Sequence, residues 1–265
     1  MKKREELLAS IAEPIHDYRA GELAAPTPEH VDRWIRQFEK AVQLPMLNEM
    51  DHVLKNTYFS LKTVTNFLKG LMKTEKLVGA DPCSFWRDVH FLDIQGGGNS
   101  QTDMLALFDA LLEEKCGYGV DECGGDSEVY LYLDDGIFTG NRVRRDLESW
   151  IRDAAPRNAK LHIVSIALHS GAQYYAGGHM KSAATKAGKK IDCTWWRAIE
   201  LEDRKSFSNN ADVLRPTVIP SDEAVSAYVQ AMKYAPTLRQ AGSVGEKALF
   251  SGEEGKHLLE QEFLK

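Results

Sequence analysis

The chain has 265 residues, 43% of them apolar and 27% charged, which is enough apolar matter for a core and excludes wholesale disorder. Its net charge of −6 and pI near 5.8 do not indicate a general nucleic-acid-binding surface, leaving a local basic patch or a partner as the routes to nucleic acid. No apolar run approaches the ~20 residues of a membrane span.

The opening Met1-Lys2-Lys3-Arg4-Glu5-Glu6 is charged and has no apolar signal region, so the expected location is the cytoplasm. Cys83, Cys116, Cys123 and Cys193 show no C-x-x-C spacing and read as reduced thiols. A metal site from Cys116, Cys123 and a nearby histidine is the alternative.

Residues 1–75 read as helical. After Pro26-Thr27-Pro28, the positions Val31, Trp34, Ile35, Phe38 and Val42 recur at helical spacing; Thr27 can cap that helix and Pro28 suits its first turn. A second stripe runs through Met46, Leu47, Met50, Val53 and Leu54, and a third through Leu61, Val64, Phe67, Leu68 and Leu71. These are core-packing patterns. His16, His30 and His52 read as surface or packing residues.

The period changes near residue 88. Val89-His90-Phe91-Leu92-Asp93-Ile94 reads as a short strand and ends in Gln95-Gly96-Gly97-Gly98-Asn99-Ser100. A helix follows with Met104, Leu105, Phe108, Leu111 and Leu112 on one face. The glycine-rich loop 116–127 reads as mobile. Residues 129–133 are apolar on both faces, as a central parallel strand should be, and lead into Asp134-Asp135. Val143, Leu147, Trp150 and Ile151 mark the next helix, 161–168 a buried strand, 172–186 a helix and 194–201 a further strand. This alternation predicts an open, mostly parallel α/β sheet with right-handed crossovers. Residues 204–212 read as a loop. Ser221-Asp222 starts a helix with Val225, Tyr228, Val229 and Met232 inward. Ser251-x-x-Glu254 reads as a capping box for a last helix that reaches Leu264-Lys265 without a C-cap, so the sequence reads as a piece of a longer chain. The expected organisation is a helical extension over 1–80, an α/β core over 81–205 and a C-terminal helical segment over 206–265.

Ligands of open α/β sheets bind outside the carboxyl ends of the strands, and two strand ends here are unusual. The turn after Asp134-Asp135 delivers the chain to a helix beginning near Asn141, whose unpaired N–H groups favour an anion. Gly136 and Gly140 permit close approach of the backbone, Thr139 adds a hydroxyl and Arg142 a charge. Carboxylates so near a phosphate suit ribose hydroxyls or hydrated Mg²⁺ on the same ligand. The Gly96-Gly97-Gly98 turn exposes backbone amides suited to a pyrophosphate.

An apolar run, Asp134-Asp135, three residues, then Thr139-Gly140 resembles the phosphoribosyl-pyrophosphate (PRPP) signature of type I phosphoribosyltransferases, over residues 85–202. The resemblance implies that fold, a PRPP or nucleotide ligand and Mg²⁺. It casts Asp134 and Asp135 as catalytic and metal-binding residues holding the ribose 2′- and 3′-hydroxyls. Gly136, Ile137, Phe138, Thr139, Gly140 and Asn141 would wrap the 5′-phosphate, and Gly96, Gly97, Gly98 and Asn99 form the pyrophosphate loop. Three departures stand out. Asn141 replaces a small residue. Phe138 sits where purine-salvage members carry an acidic base, although orotate-type members lack that base too. The long catalytic hairpin is replaced by one helix and the loop 116–127, which is acidic and holds no Lys or Arg. Arg142, Arg144, Arg145 and Lys181 are the candidate substitutes. For base stacking the candidates are Trp195, Trp196, Tyr174 and Tyr175.

The segments Trp34-Ile35-Arg36-Gln37-Phe38 and Thr57-Tyr58-Phe59-Ser60 resemble divergent phosphoribosyltransferase-like proteins of bacterial conflict and anti-phage systems, some encoded beside reverse transcriptases. That resemblance implies an effector that acts on nucleotides or senses them, restrained by a partner protein through the N-terminal helices. A catalytically inactive sensor of nucleotide or PRPP is the alternative, and a purely structural subunit a third reading.

Overall fold

The computed structural model describes residues 3–202, 212–236, 238 and 247–265. Helices α1 (Arg4–Ala12), α2 (Pro28–Ile35), α3 (Lys40–Thr57), α4 (Leu61–Leu71), α5 (Glu75–Val78) and α6 (Pro82–Asp88) precede β1 (His90–Leu92). Then come α7 (Ser100–Cys116), a 3-10 turn (Val120–Glu122), β2 (Val129–Ile137), α8 (Asn141–Asp153), β3 (Asn158–His169), α9 (Ser170–Ala187) and β4 (Lys190–Leu201). Helices α10 (Glu223–Ala231) and α11 (Glu253–Glu262) follow. Residues 62–201 form one compact unit, and residues 1–61 with 202–265 another.

The four strands lie side by side in sequence order, all parallel. This is the expected open α/β sheet. Register explains which helix covers which face. Leu92, Tyr132, Ile163 and Trp195 sit side by side across the sheet. They share one face with Val143, Leu147, Trp150 and Ile151 of α8 and with Ala176 and Met180 of α9. Phe91 and Leu131 point the other way. There Phe91 packs on Phe108 of α7 with ring centroids 5.3 Å apart, and Trp86 of α6 lies 5.0 Å from Phe108. The fully buried side chains among these, Trp86, Phe108 and Tyr132, each contribute about 1.5–3 kcal/mol through removal from water. The helix after β1 and the helix after β2 thus leave on opposite faces. A crevice opens between the carboxyl ends of these two strands, where ligands of open sheets bind.

β2 runs four residues past its predicted end, because pairing with β3 continues through Gly136↔Ala167 and Ile137↔Leu168. Asp134 and Asp135 therefore lie in the strand, and the turn begins at Phe138.

Cys83 and Cys116 form a disulfide between α6 and the end of α7. This overturns the reading of all four cysteines as reduced thiols and removes Cys116 from any metal site with Cys123. Among the described residues no three His, Cys, Asp or Glu side chains converge on a metal position. The glycine-rich loop is tied down rather than free: Val120 N–H donates to Asp109 Oδ1 at 2.6 Å, Gly124 N–H to Arg87 O at 2.9 Å, and Tyr118 OH to Cys83 O. Arg87 also stacks over Tyr118 at 4.6 Å.

In the other unit, Leu7, Ile11, Val31, Ile35, Met46 and Leu47 form a helical core. Thr27 caps α2 by accepting from His30 N–H at 3.4 Å, and Asp222 caps α10 by accepting from Val225 N–H at 3.0 Å, as the sequence predicts. Two expectations fail here. Tyr228 (69% exposed) and Met232 (39%) of the α10 region face solvent, and only Val225 is buried. Ser251 is not the N-cap of α11, which is Gly252; its N–H donates to Glu49 Oε1 at 2.9 Å and its hydroxyl to Glu49 Oε2. Of the predicted loop at 204–212, residues 204–211 lie outside the described residues. No helix among the described residues is long and apolar enough to cross a membrane.

Candidate functional site

Asp134, Asp135, Gly136, Phe138, Thr139, Gly140 and Arg142 line a pocket of about 250 Å³ at the carboxyl end of β2. Asp134 is 4% exposed. Its Oδ1 accepts from Ser100 Oγ at 2.9 Å and from Asp135 N–H at 2.9 Å, and its Oδ2 from Gln95 Nε2 at 3.5 Å. Burial pushes this carboxyl up to about 6; the Ser100 hydrogen bond opposes the shift and Asp135 reinforces it. Asp135 is exposed. The pair therefore offers one buried, anchored carboxyl and one exposed one.

The turn beyond is built on steric necessity at one glycine. Gly140 caps α8 at φ +74°, and a Cβ there would stand 2.9 Å from Ala172 O. Gly136 lies under the Phe138 ring, where a Cβ would meet Cε2 at 2.7 Å. Ile137 is buried in the core. Thr139 Oγ1 accepts from Asn141 N–H at 3.3 Å, and Asn141 Oδ1 accepts from Tyr175 OH at 3.2 Å. The amide-rich start of α8 opens onto the pocket, as an anion site requires.

Gly96, Gly97, Gly98 and Asn99 form an exposed loop beside it, with Gly97 at φ +107° and Gly98 at φ +85°. Three polar residues not singled out from the sequence moor this loop to β2. Gln101 is wholly buried: its Oε1 accepts from the Ile94 and Gln95 amides, each at 2.8 Å, and its Nε2 donates to Leu133 O at 3.2 Å. Ser100 and Gln95 connect the same loop to Asp134. The polar residues flanking the triple glycine were the available signal. Tyr132, fully buried, donates to Asp146 Oδ2 at 3.2 Å, which places a carboxylate beneath Gly96.

Of the candidate cations, Arg142 alone lines this pocket. Arg144 pairs with Glu148 at 2.7 Å and lies over Tyr175. Arg145 borders a separate depression with Gly96 and Asp146. Lys181 lines a third with Tyr174, Tyr175 and Trp195. Trp196 is on the other face, donating to His162 Nδ1 at 3.2 Å. Of the aromatic candidates, Tyr175 alone has a hydrogen bond to the phosphate-type turn.

An acidic strand end, a helix-capping Thr-Gly turn and a moored glycine loop face one crevice in a parallel sheet. The PRTase-CE family model matches residues 31–265. The chain belongs to the PRTase-CE family. Its α/β sheet is of phosphoribosyltransferase type, and this PRTase-CE chain is a phosphoribosyltransferase-like protein. No curated protein and no solved structure matches it. Asp134 and Asp135 are the two carboxylates that line the pocket. Two carboxylates suit Mg²⁺ that keeps its waters and shares a ligand's phosphates, rather than an all-protein cage.

Proposed function

We propose that the pocket holds the ribose 5-phosphate of PRPP or a nucleotide, with Mg²⁺, and that this PRTase-CE protein works in the cytoplasm as an anti-phage effector acting on nucleotides. The observation that carries the ligand is the Gly140 turn: α8 begins there, pressed against Ala172 O, immediately beyond Asp134 and Asp135. In this reading the 137–141 backbone and the Thr139 hydroxyl hold the 5′-phosphate. Asp135 and Asp134 hold the ribose hydroxyls, and the 96–99 loop receives pyrophosphate. Positioning and electrostatics supply the catalysis of an oxocarbenium-like transfer; Mg²⁺, when bound, neutralises phosphate charge. An apolar groove of about 300 Å³ lined by Ile11, Tyr18, Val31, Trp34 and Leu54 supports a partner protein on the N-terminal helices, as does the resemblance of 34–38 and 57–60 to conflict-system proteins.

A second reading, a sensor without turnover, is favoured by the 116–127 segment: it carries no Lys or Arg and is hydrogen-bonded to α6 and α7. A turnover assay with Asp134→Asn/Asp135→Asn as control separates the two. Pyrophosphate or free-base release lost in the double variant supports the effector; binding without turnover supports the sensor. Neither binding nor turnover of any ribose phosphate defeats both.

A further inference from the structure

Arg142 is the second residue of α8, and its guanidinium rests on the other loop. A Cβ built on Gly98 would stand 2.8 Å from Nη1, 3.5 Å from Cζ and 3.6 Å from Nη2. The side chain therefore spans from the Asp134–Gly140 pocket that it lines to the glycine loop, and occupies the space a side chain at residue 98 would need.

Of the other arginines of this helix, Arg144 is neutralised by Glu148 at 2.7 Å and Arg152 by Asp153 at 2.6 Å, while Arg145 lines a separate depression rather than this pocket. Among the described residues no carboxylate pairs with Arg142. A guanidinium stays charged at every ordinary pH and presents its donors as a rigid planar fork. Left without a counter-ion between two amide-lined loops, it matches an anion that reaches from one to the other. The surroundings demand such a charge: Asp134, Asp135 and Asp146 would all repel a polyanion, and residues 116–127 supply no cation.

We infer that Arg142 clamps the diphosphate of a ligand whose 5-phosphate rests on the 139–141 turn. It thereby selects a sugar 5-phosphate bearing a diphosphate at C1, as in PRPP, over ribose 5-phosphate or a mononucleotide. This rests on the proposed reading of the pocket. The cation is here carried by the first turn of a helix, beside a Gly98 that has no side chain to displace it.

The test is titration calorimetry in Mg²⁺ with PRPP, ribose 5-phosphate and inorganic pyrophosphate, on the wild type, Arg142→Gln and Arg142→Lys, with thermal melts confirming folding. Arg142→Gln should weaken PRPP and pyrophosphate roughly 10- to 100-fold and ribose 5-phosphate less than about 2-fold, with Arg142→Lys between. Equal losses for PRPP and ribose 5-phosphate, or no loss for PRPP, overturn the clamp while leaving the ribose-phosphate pocket standing. A wild type that binds none of the three overturns both.

Discussion

Gln101 donates from Nε2 to the carbonyl of Leu133 at 3.2 Å, joining the first turn of α7 to the residue before Asp134. Through its other amide atom it receives the Ile94 and Gln95 N–H groups. One buried side chain thus holds two strand ends at a set spacing. Gln101→Leu keeps the volume but strips these amides of their acceptor. A loss of about 3 kcal/mol in urea unfolding is expected, with weaker ribose-phosphate binding in calorimetry even where the variant is folded.

Two glycines of the same unit should respond oppositely to alanine. At Gly140 (φ +74°, Cβ 2.9 Å from Ala172 O) both the left-handed backbone and the clash oppose a side chain. Gly140→Ala should cost about 2 kcal/mol or more. Gly177 lies inside α9 with nothing within 4 Å of its Cβ position. Gly177→Ala should stabilise by about 0.5–1 kcal/mol. Paired thermal melts check both signs.

Asp134 imposes a pH dependence. Its carboxyl moves from 3.8 to about 6 because it is buried. The folded state therefore holds this proton more tightly than the unfolded chain. The resulting stabilisation is complete below pH 3.8 and is lost as pH rises through about 6. The two values correspond to about 3 kcal/mol. Asp134→Asn should flatten this contribution between pH 4 and pH 7 in chemical unfolding. In the proposed function, where Mg²⁺ and ribose meet the ionised carboxylate, ligand binding should strengthen over the same interval in the wild type.

The Cys83–Cys116 bond closes a loop with a sequence separation of 33. Chain-entropy arguments give such a crosslink about 4 kcal/mol. Cys83→Ser/Cys116→Ser should lower the unfolding midpoint accordingly. Added reductant should lower the wild type by the same amount and leave the double variant unmoved. A wild type insensitive to reductant would show that the bond does not form in solution.

Much of the site was readable before folding. An apolar run ending in Asp134-Asp135 and closing on Thr139-Gly140 carries its own geometry, because a two-faced apolar strand, a left-handed glycine and an exposed helix start are local properties. Thr27 and Asp222 were readable as caps for the same reason: a cap bonds its own next turn. Ser251 shows the limit. Its local pattern was a good capping box, yet the helix takes Gly252 as its N-cap and Ser251 is held instead by Glu49, about two hundred residues away.

The local sequence settled the strand–turn–helix units, the acidic and glycine-rich strand ends and the parallel α/β class, since each follows from periodicity and backbone preference within about a dozen residues. Only the tertiary structure decided that Gln101 moors the loop to β2, that Cys83 meets Cys116, and that Arg142 lies against Gly98. Those contacts join residues remote in the chain, and their partners become definite only when sheet register and opposed helix faces bring the segments together.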